Sequence, residues 1–123
     1  MGIAKSFKNA GSDCKIVALE PASSPILSKG IKGAHNVEGV GLGFIPALYN
    51  PECVHSVITI EESTARKTCR DLAIKEGIFC GTSSGMNVAG ALKLSKDLGP
   101  KSKVVTVACD SGLKYLSEGL FNY

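Results

Sequence analysis

The sequence predicts an α/β domain with a mainly parallel sheet and flanking helices. Two observations carry that expectation. Short β-branched apolar runs alternate with segments of helical period along the chain. That alternating order of strands and helices favours a mainly parallel sheet. The chain has 123 residues, 44 % of them hydrophobic and 20 % charged, which is the composition and size of one ordinary globular domain.

Each element follows in order. "MGIAKSFKNAG" predicts a helix ending at Gly11, with Ile3, Ala4 and Phe7 on one face. "CKIVALEP" is a compact apolar run closed by Glu20-Pro21 and reads as a buried strand. "ASSPILSKGIKGAHNVEGVGLGFIP" reads as a long Gly/Ser-rich loop, of the kind that is functional or contains short elements. "SVITI" alternates and is β-branched, so it predicts a strand. "EESTARKTCRDLAIKEG" predicts a helix with Ala65, Cys69, Leu72 and Ala73 at helical spacing and Gly77 as its stop. "IFCG" reads as a short strand or turn. "SSGMNVAGALKLSKDLGP" predicts the next helix, stopped by Gly99-Pro100. "SKVVTVACD" predicts a buried parallel strand over Val104–Val107, and "SGLKYLSEGLFNY" a tail with turns.

Composition excludes several functions. A net charge of +3, with lysines scattered singly, gives no basic footprint for nucleic acid. No apolar stretch approaches the roughly 20 residues of a membrane span. The N-terminal segment has no apolar core of signal-peptide kind. Its "MGIAKS" start fits a myristoylation pattern only superficially. The five cysteines, Cys14, Cys53, Cys69, Cys80 and Cys109, form no CxxC or Cys/His cluster, so no metal site is expected. An odd cysteine count in a chain with this much core fits reduced thiols and a cytoplasmic location. His35 and His55 are isolated and read as surface or loop histidines.

Three motifs remain as candidates for chemistry. In open α/β sheets, ligands sit beyond the carboxyl ends of the strands, where helix N-termini point. "CGTSSG" and "CDSG" are both strand ends of that type. Ser83 or Ser84 in the first has two readings: a helix cap worth about 1 kcal/mol, or a ligand site at the helix mouth. In "EGVGLGF", Gly39, Gly41 and Gly43 match GxGxxG only in part and open no obvious helix. The alternating glycines still allow a close backbone approach or a moving flap. Asp110-Ser111-Gly112 reads either as a turn or as a site wall.

Taken together, "VALEPASSPILSKG", "HNVEGVGLGFIP", "VITIEES", "EGIFCGTSSGMNVAGALKL" and "CDSGLKYLSEGLF" resemble the C-terminal part of the cysteine synthases. These O-acetylserine sulfhydrylases are fold-type II, tryptophan synthase β-like enzymes that use pyridoxal 5'-phosphate. The resemblance runs from about Met1 to Phe121. It implies that residues 1–123 are a C-terminal segment, a single partial domain of such an enzyme. It implies that Ser83 hydrogen-bonds the pyridine nitrogen of the cofactor, a neutral partner suited to β-elimination and replacement. It implies that Asp110 and Ser111 flank the same ring edge, with Cys109 standing where many relatives have proline. It implies that Gly39, Val40, Gly41, Leu42 and Gly43 form a loop beside the substrate pocket, with Val40 and Leu42 as conservative departures.

The lysine that carries the cofactor covalently, the loop that grips the substrate carboxylate and the loop that cradles the phosphate belong to parts of the family pattern that this sequence does not match. No catalytic residue is therefore assigned, and the chain alone is expected to be inactive. The parent reaction implied is L-cysteine from O-acetyl-L-serine and sulfide. The expected partners are an amino-acid substrate, an N-terminal half and a homodimer partner, with neither nucleic acid nor membrane. A cystathionine β-synthase-like segment, or a truncated non-catalytic paralogue acting by protein interaction, stands as the alternative.

Overall fold

Val17–Pro21 (β1) and Ser56–Ile60 (β2) pair in parallel, in register from Val17 opposite Ser56 to Pro21 opposite Ile60. This computed structural model describes residues 1–121. Between the strands lie a short helix, Ile26–Lys29 (α2), and a 3-10 turn at Pro51–Cys53. The long loop thus contains short elements, as its length required. Glu20, only 3 % exposed, explains α2. Its carboxylate accepts the Leu27 and Ser28 N–H groups at 2.7 and 3.1 Å, which satisfies two donors that a helix start leaves orphaned.

The predicted helices are all present. The N-terminal one spans Gly2–Asn9 (α1), before Gly11, whose φ is +65°. Its expected apolar face buries only Ala4, while Ile3 and Phe7 stay exposed. Glu62–Glu76 (α3) buries Ala65 and Cys69 and ends at Gly77 in the left-handed conformation. The Ile78 N–H returns to the Leu72 carbonyl at 3.0 Å, closing the helix end. Thr82–Leu98 (α4) begins one residue before the predicted start and stops at Gly99.

α4 packs on α3 and on the sheet because its glycines permit it. A Cβ on Gly85 would lie 2.3 Å from the Ala65 carbonyl oxygen and 2.4 Å from Cys69 Sγ. A Cβ on Gly90 would lie 2.7 Å from Leu19 Cδ1. Val37, Ile60, Ala65, Met86 and Ala89 form the core under the sheet, joined by Leu19, Val40 and Ile58. Cys69, Cys80, Tyr115 and Leu120 form a second cluster, with Leu72 and Phe121 against it.

The strand predicted at Val104–Val107 does not form. Residues 102–109 run without ladder pairing, and Val105 is 92 % and Val107 51 % exposed. The apolar run has the composition of a buried strand, but the described sheet has two strands, β1 and β2, and neither lies beside it. A strand forms only where a partner takes up its N–H and C=O groups. Side chains of α4 hold this segment instead: Asn87 Nδ2 donates to the Val107 carbonyl at 2.9 Å and Ser84 Oγ accepts the Cys109 N–H at 2.8 Å. "IFCG" contributes one isolated antiparallel bridge, Cys80 to Ser111. The last piece, Gly112–Glu118, is a 3-10 helix.

A parallel sheet is normally covered on both faces and continued at its edges. Here the sheet has two strands, and Val105, Leu113 and Leu116, large apolar residues, are exposed. The chain on its own is therefore expected to self-associate. Sedimentation velocity over a concentration series checks this: dimers or larger species are expected, and a clean monomer at high concentration would contradict it.

Candidate functional site

The first turn of α4 carries three consecutive buried hydroxyl residues. Thr82 and Ser84 are fully buried and Ser83 is 7 % exposed. The helix begins from Gly81, in an extended conformation, and no side chain caps it. Ser83 and Ser84 thus lie inside the first turn rather than before it, which removes the cap reading for both. The first intrahelical bond of the turn is Gly85 N–H to the Gly81 carbonyl, at 3.1 Å. The N–H groups ahead of it have no intrahelical acceptor, and the helix dipole makes this end positive.

Three neighbours fix the turn. Cys69 Sγ donates to the Gly81 carbonyl at 3.0 Å. The Gly81 N–H meets the Asp110 carbonyl at 3.3 Å, and the Gly112 N–H meets the Phe79 carbonyl at 3.1 Å. Ser84, read as a cap or a ligand site, clamps the Cys109 backbone instead. Gly112 lets the Phe121 and Phe79 rings pack close: a Cβ there would come within 3.0 Å of both, and the rings would have to shift. Those two rings pack with centroids 4.5 Å apart.

Asp110 sits directly over Gly81: a Cβ on that glycine would be 2.4 Å from Asp110 Oδ1 and 2.3 Å from Tyr115 Cε2. Asp110 Oδ2 accepts the Tyr115 hydroxyl at 2.7 Å. Asp110 Oδ1 and Thr82 Oγ1 are buried and have no hydrogen-bond partner among the described residues. Such groups are costly to leave unpaired, so this corner is built to meet a further polar group. Ser111 is exposed and its hydroxyl accepts the Leu113 N–H at 3.3 Å, starting the 3-10 helix.

The glycine loop lies on the other side of Tyr115. Gly39, Gly41 and Gly43 have φ of +76°, +58° and +78°, a left-handed path at alternate residues. His35, predicted as a bland loop histidine, organises this path. One ring nitrogen, Nε2, lies 2.9 Å from the Gly41 carbonyl, and Nδ1 accepts the Val37 N–H at 3.3 Å. The loop walls a cleft of about 240 Å³ with Leu19, Ile26 and Leu27 opposite. Val40 and Leu42 both line this cleft. Ser83, Asp110 and Ser111 do not line it. Loop and helix mouth are joined through Glu38, whose Oε2 is 3.4 Å from the Tyr115 hydroxyl and 3.3 Å from Lys114 Nζ.

Backbone contacts bring the start of α4 and residues 109–112 to one corner. Ser83 lies in that first turn, and among the described residues no hydrogen bond joins its side chain to Asp110 or Ser111; residues 39–43 line a separate cleft and meet the corner through Glu38. The sequence reading missed Thr82, Tyr115 and Glu38. "GTSSG" looked like a turn, which hid Thr82 as the first helical residue. Tyr115 lay in a tail with no clear period. Among the described residues, no group of three or more His, Cys, Asp or Glu side chains is arranged to hold a metal. No described helix is long and apolar enough to cross a membrane.

This arrangement can be set against known proteins. The family model for pyridoxal-phosphate dependent enzymes matches residues 1–110. The chain belongs to that family. The cysteine synthase of Staphylococcus aureus is 40 % identical over 122 residues, 99 % of this chain and 39 % of the relative. A solved hydrogen sulfide-producing enzyme of Fusobacterium nucleatum is 42 % identical with a TM-score of 0.91, covering 100 % of this chain and 37 % of that one. The solved cysteine synthase of Entamoeba histolytica is 34 % identical with a TM-score of 0.91, covering 99 % and 36 %. The fold is therefore part of the fold-type II architecture, and the chain spans about two-fifths of the length of the curated relatives it matches.

The residues present fit one edge of pyridoxal phosphate. The corner offers the Ser83 hydroxyl, helix N–H groups that precede the first intrahelical bond, and buried Thr82 and Asp110 oxygens without a partner among the described residues. No residue set for the phosphate or for a covalent lysine is assigned from this geometry.

Burial raises the proton affinity of the groups that support the site. Desolvation, then the neighbouring Cys80, pushes the Cys69 thiol from 9.0 up to about 12. Desolvation also raises Cys80. Tyr115 is raised by burial first, then by its hydrogen bond to Asp110 and the charges of Asp110 and Glu38. In each case the unfolded group ionises at lower pH than the folded one. For Cys69 the stabilising contribution is full below pH 9.0 and is lost as pH rises from 9.0 through about 12; Cys80 and Tyr115 act in the same direction. Each thiol adds a slope of at most about 1.4 kcal/mol per pH unit. Urea denaturation at about pH 8 and about pH 10.5 is expected to show lower stability at the higher pH, with a shallower fall in Cys69→Ala.

Proposed function

We propose that this chain is the C-terminal segment of a cysteine synthase, the part that holds one edge of pyridoxal phosphate and one wall of the substrate pocket. The parent activity on this reading is β-replacement of the acetoxy group of O-acetyl-L-serine by sulfide, giving L-cysteine and acetate. The observation that carries it is Ser83, a nearly buried hydroxyl in the unclosed first turn of α4 that is not used as a cap. The similarity to cysteine synthases across 99 % of the chain supports it.

Pyridoxal phosphate, when bound, supplies the electron sink for losing the leaving group and accepting the nucleophile. The residues of this chain do the rest of the local work. Ser83 offers its hydroxyl to the pyridine nitrogen. A neutral partner leaves that nitrogen largely unprotonated, which tempers the sink. Asp110 and Ser111 wall the ring edge, and Asp110 Oδ1 and Thr82 Oγ1 have unspent hydrogen-bonding capacity there. The left-handed glycines let the 39–43 loop approach substrate with backbone rather than side chain, excluding water. The lysine, the carboxylate grip and the phosphate cradle come from the N-terminal half on this reading, and a homodimer in the cytoplasm is its natural setting.

Two expected outcomes test the proposal. When this segment is joined to a competent N-terminal half, Ser83→Ala is expected to weaken cofactor binding and shift the cofactor absorbance band while leaving the melting temperature nearly unchanged. Ser84→Ala leaves the Cys109 N–H unpaired, so it is expected to cost about 1–3 kcal/mol of stability with an unshifted band. Equal spectra for both variants would remove Ser83 from the site. Feeding sulfide or a larger thiol to the joined enzyme separates the cysteine synthase reading from a cystathionine β-synthase-like one.

The segment by itself is expected to hold no covalent cofactor. After incubation with pyridoxal phosphate, removal of the excess by gel filtration and then borohydride treatment, intact-mass measurement should find the unmodified chain. A single lysine carrying the label would place covalent chemistry in this segment and overturn the division of labour proposed here.

A further inference from the structure

Tyr115 is almost fully buried, with 1 % exposure, and its ring belongs to the cluster of Cys69, Cys80 and Leu120. Its hydroxyl leaves that cluster to meet two carboxylates from distant parts of the chain. Asp110 Oδ2 is 2.7 Å away and Glu38 Oε2 is 3.4 Å away. A phenol has one hydrogen, so it donates fully to one acceptor at a time. The distances assign that hydrogen to Asp110, with Glu38 as the waiting acceptor. Lys114 Nζ, 3.3 Å from Glu38 and 3.7 Å from Asp110, offsets the charge of the pair and keeps both carboxylates close.

The two acceptors sit on the two halves of the candidate site. Glu38 immediately precedes Gly39, so it moves with the left-handed glycine loop. Asp110 presses on Gly81, where α4 begins, close enough that a Cβ there would collide with it. Its second oxygen has no partner among the described residues and is free to answer a rotation of the carboxylate. Half of the Glu38 side chain is exposed, against a quarter of the Asp110 side chain, so the loop end is the movable one.

We propose that Tyr115 is a positioning residue whose hydroxyl couples the 39–43 loop, through Glu38, to the mouth of α4, through Asp110. When the loop shifts, Glu38 moves towards or away from the shared hydrogen. Asp110 then turns, and the first turn of α4 feels the change across Gly81. This deepens the cofactor-edge reading, since it joins the two walls of that same site.

The test is carried out on the ligand-free 123-residue chain by amide NMR. Glu38→Ala is expected to shift the amides of Gly81, Thr82 and Asp110–Gly112, although Glu38 touches none of them. In a Tyr115→Phe background the same substitution is expected to move those amides by about half as much or less, a non-additive result. Additive shifts would show that Tyr115 only fills space and would overturn the proposal. If Tyr115→Phe does not melt cooperatively, the cycle is run between Glu38→Ala and Asp110→Asn, where additivity again overturns it. A pyridoxal-phosphate titration of the segment joined to a competent N-terminal half is separate: unchanged cofactor binding and spectrum in Ser83→Ala there would sink the cofactor-edge reading and leave the coupling result standing.

Discussion

The close approach of α4 to its neighbours at Gly81 and Gly85 is the constraint on which everything else in this chain rests. Neither position has room for a methyl group: Ala65 and Cys69 fill the space at one, Asp110 and Tyr115 at the other. That contact presses a helix N-terminus against α3 and against the turn that follows residue 109. It buries three consecutive hydroxyl residues, Thr82, Ser83 and Ser84, which would otherwise be solvated. Burying polar groups costs free energy unless they are paired. Ser84 is paired with Cys109, while Thr82 is not, and the imbalance concentrates unspent hydrogen-bonding capacity at one corner.

How much of this was legible in the sequence depended on whether the cause was local. β1, β2, α3 and α4 were readable because β-branched runs and helical spacing act within a few residues. Gly77 and Gly99 marked the two long helix ends for the same reason. The run Val104–Val107 failed as a strand because pairing is not a local property. Its composition asks for a partner strand that the described residues do not supply. The residues that resemble a known family pointed to Ser83 and Asp110, and the segments that carry them meet through Gly81 and Ser84. The roles of Ser84, Tyr115 and His35 were invisible, since each is set by a contact 6 to 77 positions away in sequence.

Family membership sharpens the meaning of the exposed apolar residues. In a free-standing domain, a valine at 92 % exposure would be a liability. On the proposal that this chain is the C-terminal segment of a longer enzyme, it is a surface that the rest of that enzyme would cover. The same logic applies to the orphaned polar atoms at the helix mouth. On that reading both are half of an interaction. One half is hydrophobic and structural, the other polar and chemical, and they lie at opposite ends of the 105–110 segment.

The left-handed glycines of the 39–43 loop separate the loop's shape from its surface. The path is set by backbone torsions at Gly39, Gly41 and Gly43 and by His35 underneath. The side chains between them, Val40 and Leu42, take no part in setting it, yet both face the cleft. Val40 is committed to the core as well, while Leu42 is 61 % exposed. Position 42 can therefore change size or polarity and leave the track of the loop alone. A lineage could retune which side chain the pocket admits by substitution at one residue, without rebuilding the wall that carries it.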